Sequence, residues 1–242
     1  MKKWALILGA SSGIGEKSAI ELAKKGLNIY GVYLRKPASH IEPLIKKIEL
    51  FGVKAIFKKM NAANEKSRLE AINELKNIEM IDIKVFIHSL AFGALKPMID
   101  NESSKSLNQK NIEMTLDVMS NSLVYWSQDL LKHKLIKETS QIISMTSAGG
   151  SQQWKSYGAV SMAKSSLESA TRQLAFELAN YKIACNCIQA GVTMTPALEK
   201  IPGYQDMVEH AKKTNPHQRL TTTDDIAKAV VLLGLSNNYW LT

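Results

Sequence analysis

The run Trp4-Ala5-Leu6-Ile7-Leu8-Gly9-Ala10-Ser11-Ser12-Gly13-Ile14-Gly15 decides how this chain folds. Five apolar residues end at once in a glycine-rich turn, and an amphipathic stretch, Ile14–Lys25, follows and closes at Gly26. The order is strand, tight loop, helix, with Gly26 as the C-cap. Glycine lets the backbone turn sharply and approach a pyrophosphate, and the open N–H groups of a helix start favour an anion. The spacing G-x-x-x-G-x-G places Gly9, Ser11, Ser12, Gly13, Ile14 and Gly15 around the phosphates of a dinucleotide.

The same alternation continues outward along the chain. Leu27–Leu34, Val53–Lys59, Ile83–Ile87, Gln141–Met145 and Ile183–Ile188 read as strands. Ile41–Phe51, Lys66–Asn77, Ile112–His133 and Tyr157–Asn180 read as helices. Thr222-Thr223-Asp224-Asp225 opens a last helix with an N-cap and an acid three residues on. This predicts an α/β fold: one doubly wound Rossmann-type domain over residues 1–242, a parallel sheet with helices on both faces. No repeat, linker or composition shift divides it. The ligand belongs at the carboxyl ends of the strands.

Composition narrows the function. Of 242 residues 45% are hydrophobic, ample for a core. The longest apolar run of the C-terminal half, Ala229–Leu235, falls far short of the roughly 20 residues a membrane span needs. Met1-Lys2-Lys3 before Trp4–Leu8 imitates a signal peptide, but the apolar run stops too soon. Cys185 and Cys187 would point to one face of a strand about 6–7 Å apart, a poor disulfide geometry. With no other cysteine, no thiolate metal site is expected, and a reducing cytoplasm is. Thirty-one basic against 22 acidic residues leave a net charge of +9, scattered over separate elements rather than gathered into a tail. Nucleic-acid binding is not expected. The excess suits solubility, an anionic cofactor or an acidic carrier protein.

The end of the second strand sharpens the cofactor. A site that prefers NAD places an acid there to hold the ribose 2′-hydroxyl. This chain has Tyr33-Leu34-Arg35-Lys36. Two adjacent cations fit a 2′-phosphate, Arg35 in a bidentate manner, so NADPH is expected.

Together these features resemble the short-chain dehydrogenase/reductase superfamily over nearly the whole chain. Asn61-Ala62 matches its adenine contact after strand three, and Lys164 opens the Lys-Ser-Ser-Leu-Glu part of the long helix. Asn186-Cys187-Ile188-Gln189-Ala190-Gly191 ends strand six, where relatives read Asn-x-Ile-x-Pro-Gly. Thr195 falls where the family has a threonine beside the nicotinamide carboxamide, and Gly191 and Val192 belong to the same contact. Mainstream members carry Tyr-x-x-x-Lys, which requires a tyrosine at 160; Val160 is there instead. The tyrosine is Tyr157, giving Tyr-x6-Lys with Lys164, and this is similar to the enoyl-acyl-carrier-protein reductases. His88-Ser89-Leu90-Ala91-Phe92 resembles the His-Ser-x-x-Phe run of the type I enzymes, with His88 and Ser89 beside the cofactor. Ala197-Leu198-Glu199-Lys200 through Asn215-Pro216 and Arg219 is closer to the NADPH-dependent type III branch.

Seven residues advance about 700° on a helix, so Tyr157 and Lys164 share a face roughly 10 Å apart along the axis. The resemblance implies roles for them. Tyr157 donates to the enolate oxygen, Lys164 holds the nicotinamide ribose and lowers the tyrosine pKa, and Ser147 occupies the family's catalytic serine position. Met119 stands where the usual helix-four asparagine would be, with Ser120 and Asn121 beside it. Met162 and Met194 read as packing residues. The resemblance further implies an acyl-carrier protein as partner, a homo-oligomer (dimer or tetramer), and a final strand after the last helix that this sequence does not contain. Two alternatives stay open: a carbonyl reductase of the same superfamily, acting on substrates such as 3-oxoacyl-acyl-carrier-protein, and a non-catalytic NADP-binding protein.

Overall fold

The computed structural model describes residues 2–242; Met1, the first residue of the signal-like start, lies outside them. The apolar run that follows is β1 (Lys2–Leu8), the strand on which the sheet is built. It pairs in parallel with β2 (Asn28–Tyr33) on one side and β4 (Ile81–His88) on the other. With β3 (Ala55–Lys59), β5 (Gln141–Ser147) and β6 (Ala184–Ala190) the order is β3-β2-β1-β4-β5-β6, all parallel. The order reverses between β1 and β4, which opens a crevice at their carboxyl ends.

Alternate side chains of β1 leave on opposite faces. Trp4, Leu6 and Leu8 join Phe86, Trp126 and Leu167 in one apolar layer. This layer is covered by α3 (Glu65–Lys76), α5 (Ser122–Lys132) and α6 (Gly158–Leu178). Ala5 and Ile7 join Leu22, Ile48 and Val230 in the other. There α1 (Gly13–Lys24), α2 (Ala38–Glu49) and α8 (Thr223–Gly234) close the core. Burial on both faces is why the strands read as continuous apolar runs.

Three elements depart from the periodicity. The single helix expected over Ile112–His133 is α4 (Gln109–Leu116), a π-helical turn (Asp117–Asn121) and then α5. Helix α6 begins one residue late, so Tyr157 is its N-cap rather than its first turn. The sequence reading also passed over α7 (Tyr204–Thr214), which has no fully buried residue. Its signal was the spacing Tyr204, Met207, Val208, Ala211. Met162 and Met194, expected to be packing residues, are 39% and 47% exposed. Met162 lies on the outer side of α6, whose inner side carries Ala159, Val160, Ala163 and Lys164.

Among the described residues the sheet has six strands, and β6 forms one of its two edges. The segment after α8 folds back along it. Thr242 Oγ1 both accepts from the Cys185 N–H and donates to the Cys185 carbonyl, each at 3.0 Å. Lys84 Nζ donates to Asn237 Oδ1 at 3.1 Å, tying the same segment to the buried end of β4. Cys185 and Cys187 are both free. Among the described residues no helix is long and apolar enough to cross a membrane, and no cluster of His, Cys, Asp or Glu could hold a metal ion.

Candidate active site

The glycine loop takes its shape from contacts that leave no room for a side chain. Gly9 has φ +84°, and a Cβ there would overlap the Ser89 carbonyl oxygen where β4 ends. A Cβ at Gly15 would overlap the Gly9 carbonyl, and one at Gly13 (φ +57°) would stand 3.2 Å from Thr195 Cγ2. The Gly9 and Ala10 N–H groups both donate to the Val32 carbonyl, at 2.9 and 3.1 Å. Ends of β1, β2 and β4 and the segment after β6 are thereby drawn to one place. The first turn of α1 is left uncapped by Ser12, so its N–H groups face the crevice as an anion site needs. His40, which the sequence reading did not single out, braces this loop through Nε2 on the Ser11 carbonyl at 3.0 Å.

Around the loop the other expected cofactor residues fall in different settings. Arg35 is exposed and Lys36 half-buried just beyond β2. The Arg35 guanidinium lies over the ring of Phe92, 3.3 Å from its centroid. Asn61 is exposed and accepts from the Ala63 N–H at 3.1 Å, while the Ala62 carbonyl accepts from Trp126 Nε1 at 2.8 Å. Gly191 leaves no space for a Cβ beside Thr221, and Thr193, past Val192, bridges to Thr221. Thr195 Oγ1 accepts from the Leu198 N–H at 3.3 Å and starts the turn leading to α7.

The side chain of His88 is not brought to the glycine loop. It is buried against α5, with Nε2 2.8 Å from Ser122 Oγ. Ser122 Oγ already donates to the Val118 carbonyl, so Nε2 carries the histidine proton and donates. Nδ1 is then a bare acceptor, buried without a partner. Burial first, and the Lys164 charge second, push this imidazole down to about 3, and it is neutral.

Tyr157 is held at the mouth of α6. Its ring covers Gly149, where a Cβ would overlap it. Burial raises the phenol pKa, opposed only by the Ser147 hydroxyl. Ser147 faces Tyr157 without closing a full hydrogen bond, and its Oγ is buried and unpartnered. The expected depression of the tyrosine pKa by Lys164 is not found: desolvation dominates, and the phenol keeps its proton. Lys164 is buried beneath, with Nζ donating to the Met145 carbonyl at 2.6 Å. Burial brings its ammonium down to about 8, with Cys187 and Glu168 pulling the other way.

Position 160 is closed. Val160 Cγ2 and Thr115 Cγ2 would stand 2.7 and 2.6 Å from a Cβ at Gly93, so the loop after β4 is pressed onto the valine. Met119 is buried with Tyr157, Val160 and Ala163 in an apolar cluster lined further by Leu95, Trp154 and Ile201. The π-helical turn thus presents a thioether where an asparagine amide would have been, and Ser120 Oγ donates to Ser166 Oγ at 2.8 Å. Trp154 Nε1 donates to the Pro202 carbonyl at 3.1 Å, and Met98 covers Gly158. Neither Trp154 nor Met98 stood out in the sequence, because neither lies in a regular element. The result is an apolar wall on one side of a buried phenol, suited to an acyl chain.

Comparison with known proteins gives the family and the fold. The family described as enoyl-(acyl carrier protein) reductase matches residues 9–241. An enoyl-[acyl-carrier-protein] reductase [NADH] of Nostoc sp. is 25% identical over 233 residues, 96% of this chain and 88% of that one. A 3-oxoacyl-[acyl-carrier-protein] reductase of Buchnera aphidicola is 25% identical over 247 residues, covering 100% and 93%. Among solved structures, the enoyl-[acyl-carrier-protein] reductase (NADH) of Aquifex aeolicus superposes with a TM-score of 0.82 at 21% identity, covering 100% and 97%. A short-chain dehydrogenase of Burkholderia cenocepacia in complex with NADP gives 0.82 at 21%, covering 98% and 92%. These structures share the fold.

Proposed function

The chain belongs to the enoyl-(acyl carrier protein) reductase family of the short-chain dehydrogenase/reductase superfamily, and from that premise we propose that it reduces the trans-2 double bond of enoyl-acyl-carrier-protein thioesters in fatty-acid synthesis, using NADPH. One observation carries the reading. The tyrosine that faces the site is Tyr157, while position 160 is sealed by Gly93, Thr115 and Met119.

Enoyl-thioester reduction separates two events. Hydride goes to C3, and negative charge develops on the thioester oxygen at C1. A donor displaced along the site from the nicotinamide suits that second position. Tyr157, kept protonated by burial, donates to the enolate oxygen and stabilises it. Ser147 stands beside the phenol, in the family's catalytic serine position. Lys164 holds the nicotinamide ribose hydroxyls with the N–H donors that Met145 leaves free. NADPH supplies the hydride when bound. Gly9, Ser11, Ser12, Gly13, Ile14 and Gly15 would hold its phosphates, Asn61 and Ala62 its adenine, and Ser89, Gly191, Val192 and Thr195 its nicotinamide. The relative from Nostoc is named for NADH, but no acid follows β2 here, and Arg35 and Lys36 take the 2′-phosphate. The enzyme works in the cytoplasm as a homo-oligomer, and its net charge of +9 complements an acidic carrier protein.

A carbonyl reductase is the second reading, favoured by Ser147 against the phenol and by the relative from Buchnera. One assay decides. With NADPH the purified protein is expected to consume crotonyl thioesters and leave acetoacetyl thioesters largely untouched. The reverse preference would establish the second reading.

A further inference from the structure

Phe92 has no part in the chemistry above, yet its ring lies against the residue assigned to the 2′-phosphate. Arg35 stands two residues past β2 and Phe92 four past β4. Their strand ends are fixed relative to each other by the glycine loop between them. Gly9 N–H donates to the Val32 carbonyl at 2.9 Å, and Ser89 N–H donates to the Leu8 carbonyl at 3.0 Å. Gly9 packs against the Ser89 carbonyl with no room for a side chain, so the two strand ends sit close together.

The guanidinium carbon of Arg35 stands 3.3 Å from the centroid of the Phe92 ring. At that separation the planar group lies on the ring face, and its five N–H donors project outward in its own plane. Among the described residues no carboxylate is paired with it. An exposed arginine ordinarily loses rotamer freedom when it grips an anion. Here the ring has already removed much of that freedom while leaving the donor fork empty.

We propose that Phe92 is a specificity-determining residue: its ring is a platform that presets the Arg35 fork for the 2′-phosphate distinguishing NADPH from NADH. The inference rests on the NADPH reading above. It predicts a residue that touches no phosphate yet selects the nucleotide carrying one.

The test is a titration of the purified protein and three variants with NADPH and, separately, NADH. Phe92→Leu keeps apolar bulk but removes the ring face, and is expected to weaken NADPH about three- to tenfold. NADH binding should stay within about twofold. Phe92→Tyr keeps the face and is expected to match the parent, and it guards against a Leu variant that folds poorly. Arg35→Ala separates the two ideas. If it abolishes the NADPH preference while Phe92→Leu changes nothing, the platform is wrong and the NADPH reading stands. If Arg35→Ala leaves the ratio of the two affinities unchanged, the NADPH reading fails and the platform with it. Equal losses for both nucleotides in Phe92→Leu would make the ring a general wall and overturn the proposal.

Discussion

The two ends of the crevice handle charge in opposite ways. At the nucleotide end the cations Arg35 and Lys36 stand in contact with water, and anion recognition falls to them and to backbone N–H groups. At the catalytic end His88, Lys164 and Tyr157 are all buried, and burial pushes each toward its neutral form. The contrast follows from what each end must do. A permanent anion is held by donors that stay charged and hydrated until it arrives. A charge that exists only in the transition state is best met by preset dipoles in a dry site, where each is worth more.

The largest effect expected from this division is on the phenol. Tyr157→Phe keeps the ring that covers Gly149 and removes only the hydroxyl. Loss of one such donor costs about 10²–10³ in turnover. NADPH affinity, measured by titration, is expected to stay within about twofold, because the nucleotide end is untouched. Near-normal turnover would move the donor role to Ser147.

Gly9→Ala attacks the other end. It forces an alanine to φ +84° and drives its Cβ into the Ser89 carbonyl, backbone that cannot swing away. A stability loss of about 2–4 kcal/mol is expected from denaturant unfolding. Nucleotide affinity should fall with it. A variant as stable as the parent would mean that the three strand ends are not locked together as described.

The two ends also differ in how far the sequence exposed them. Gly9, Gly13 and Gly15 are required by local backbone shape, and local constraints leave a local pattern. The parallel sheet with helices on both faces followed from the same alternation. Tyr157 could be found by its distance from Lys164 in sequence, but three things at that end could not. The sealing of Val160 depends on Gly93, 67 positions away in the chain, and nothing in either neighbourhood signals the meeting. The π-helical turn at Asp117–Asn121 lies inside an unbroken amphipathic pattern. The direction of the tyrosine shift depends on burial, which sequence spacing does not report; a nearby lysine was the visible clue, and desolvation outweighs it. At the nucleotide end the comparable omissions are Arg35 on Phe92 and His40 on the Ser11 carbonyl, again contacts between residues distant in sequence.

Lys164 sharpens the comparison through stability. Its pKa falls from the ordinary 10.5 to about 8 on folding. Between those values the unfolded chain binds more protons, so stability rises with pH from 8 to 10.5, and below 8 the full penalty of burying the ammonium is present. Lys164→Met should therefore raise stability at pH 7 by about 1–3 kcal/mol while weakening turnover and nucleotide binding. The gain should vanish near pH 10.5, as thermal melting at the two pH values would show. No gain at pH 7 would indicate that the bond to the Met145 carbonyl repays the burial.

The smallest expected effect tests the buried titration of the catalytic end. His88 falls from 6.5 to about 3 on folding, because its ring is dry and the Lys164 charge repels a second proton. Between pH 6.5 and 3 the unfolded chain takes up a proton that the folded chain refuses, so stability is lost on acidification through that window. His88→Asn removes the titration and retains a donor for Ser122 Oγ. At pH 5.5 the variant is expected to lose about 1 kcal/mol less than the parent, relative to each protein's own value at pH 7.5. An acid limb in the His88 variant as steep as the parent's would mean that the buried imidazole does not carry this loss, and that burial does not set charge at the catalytic end as described.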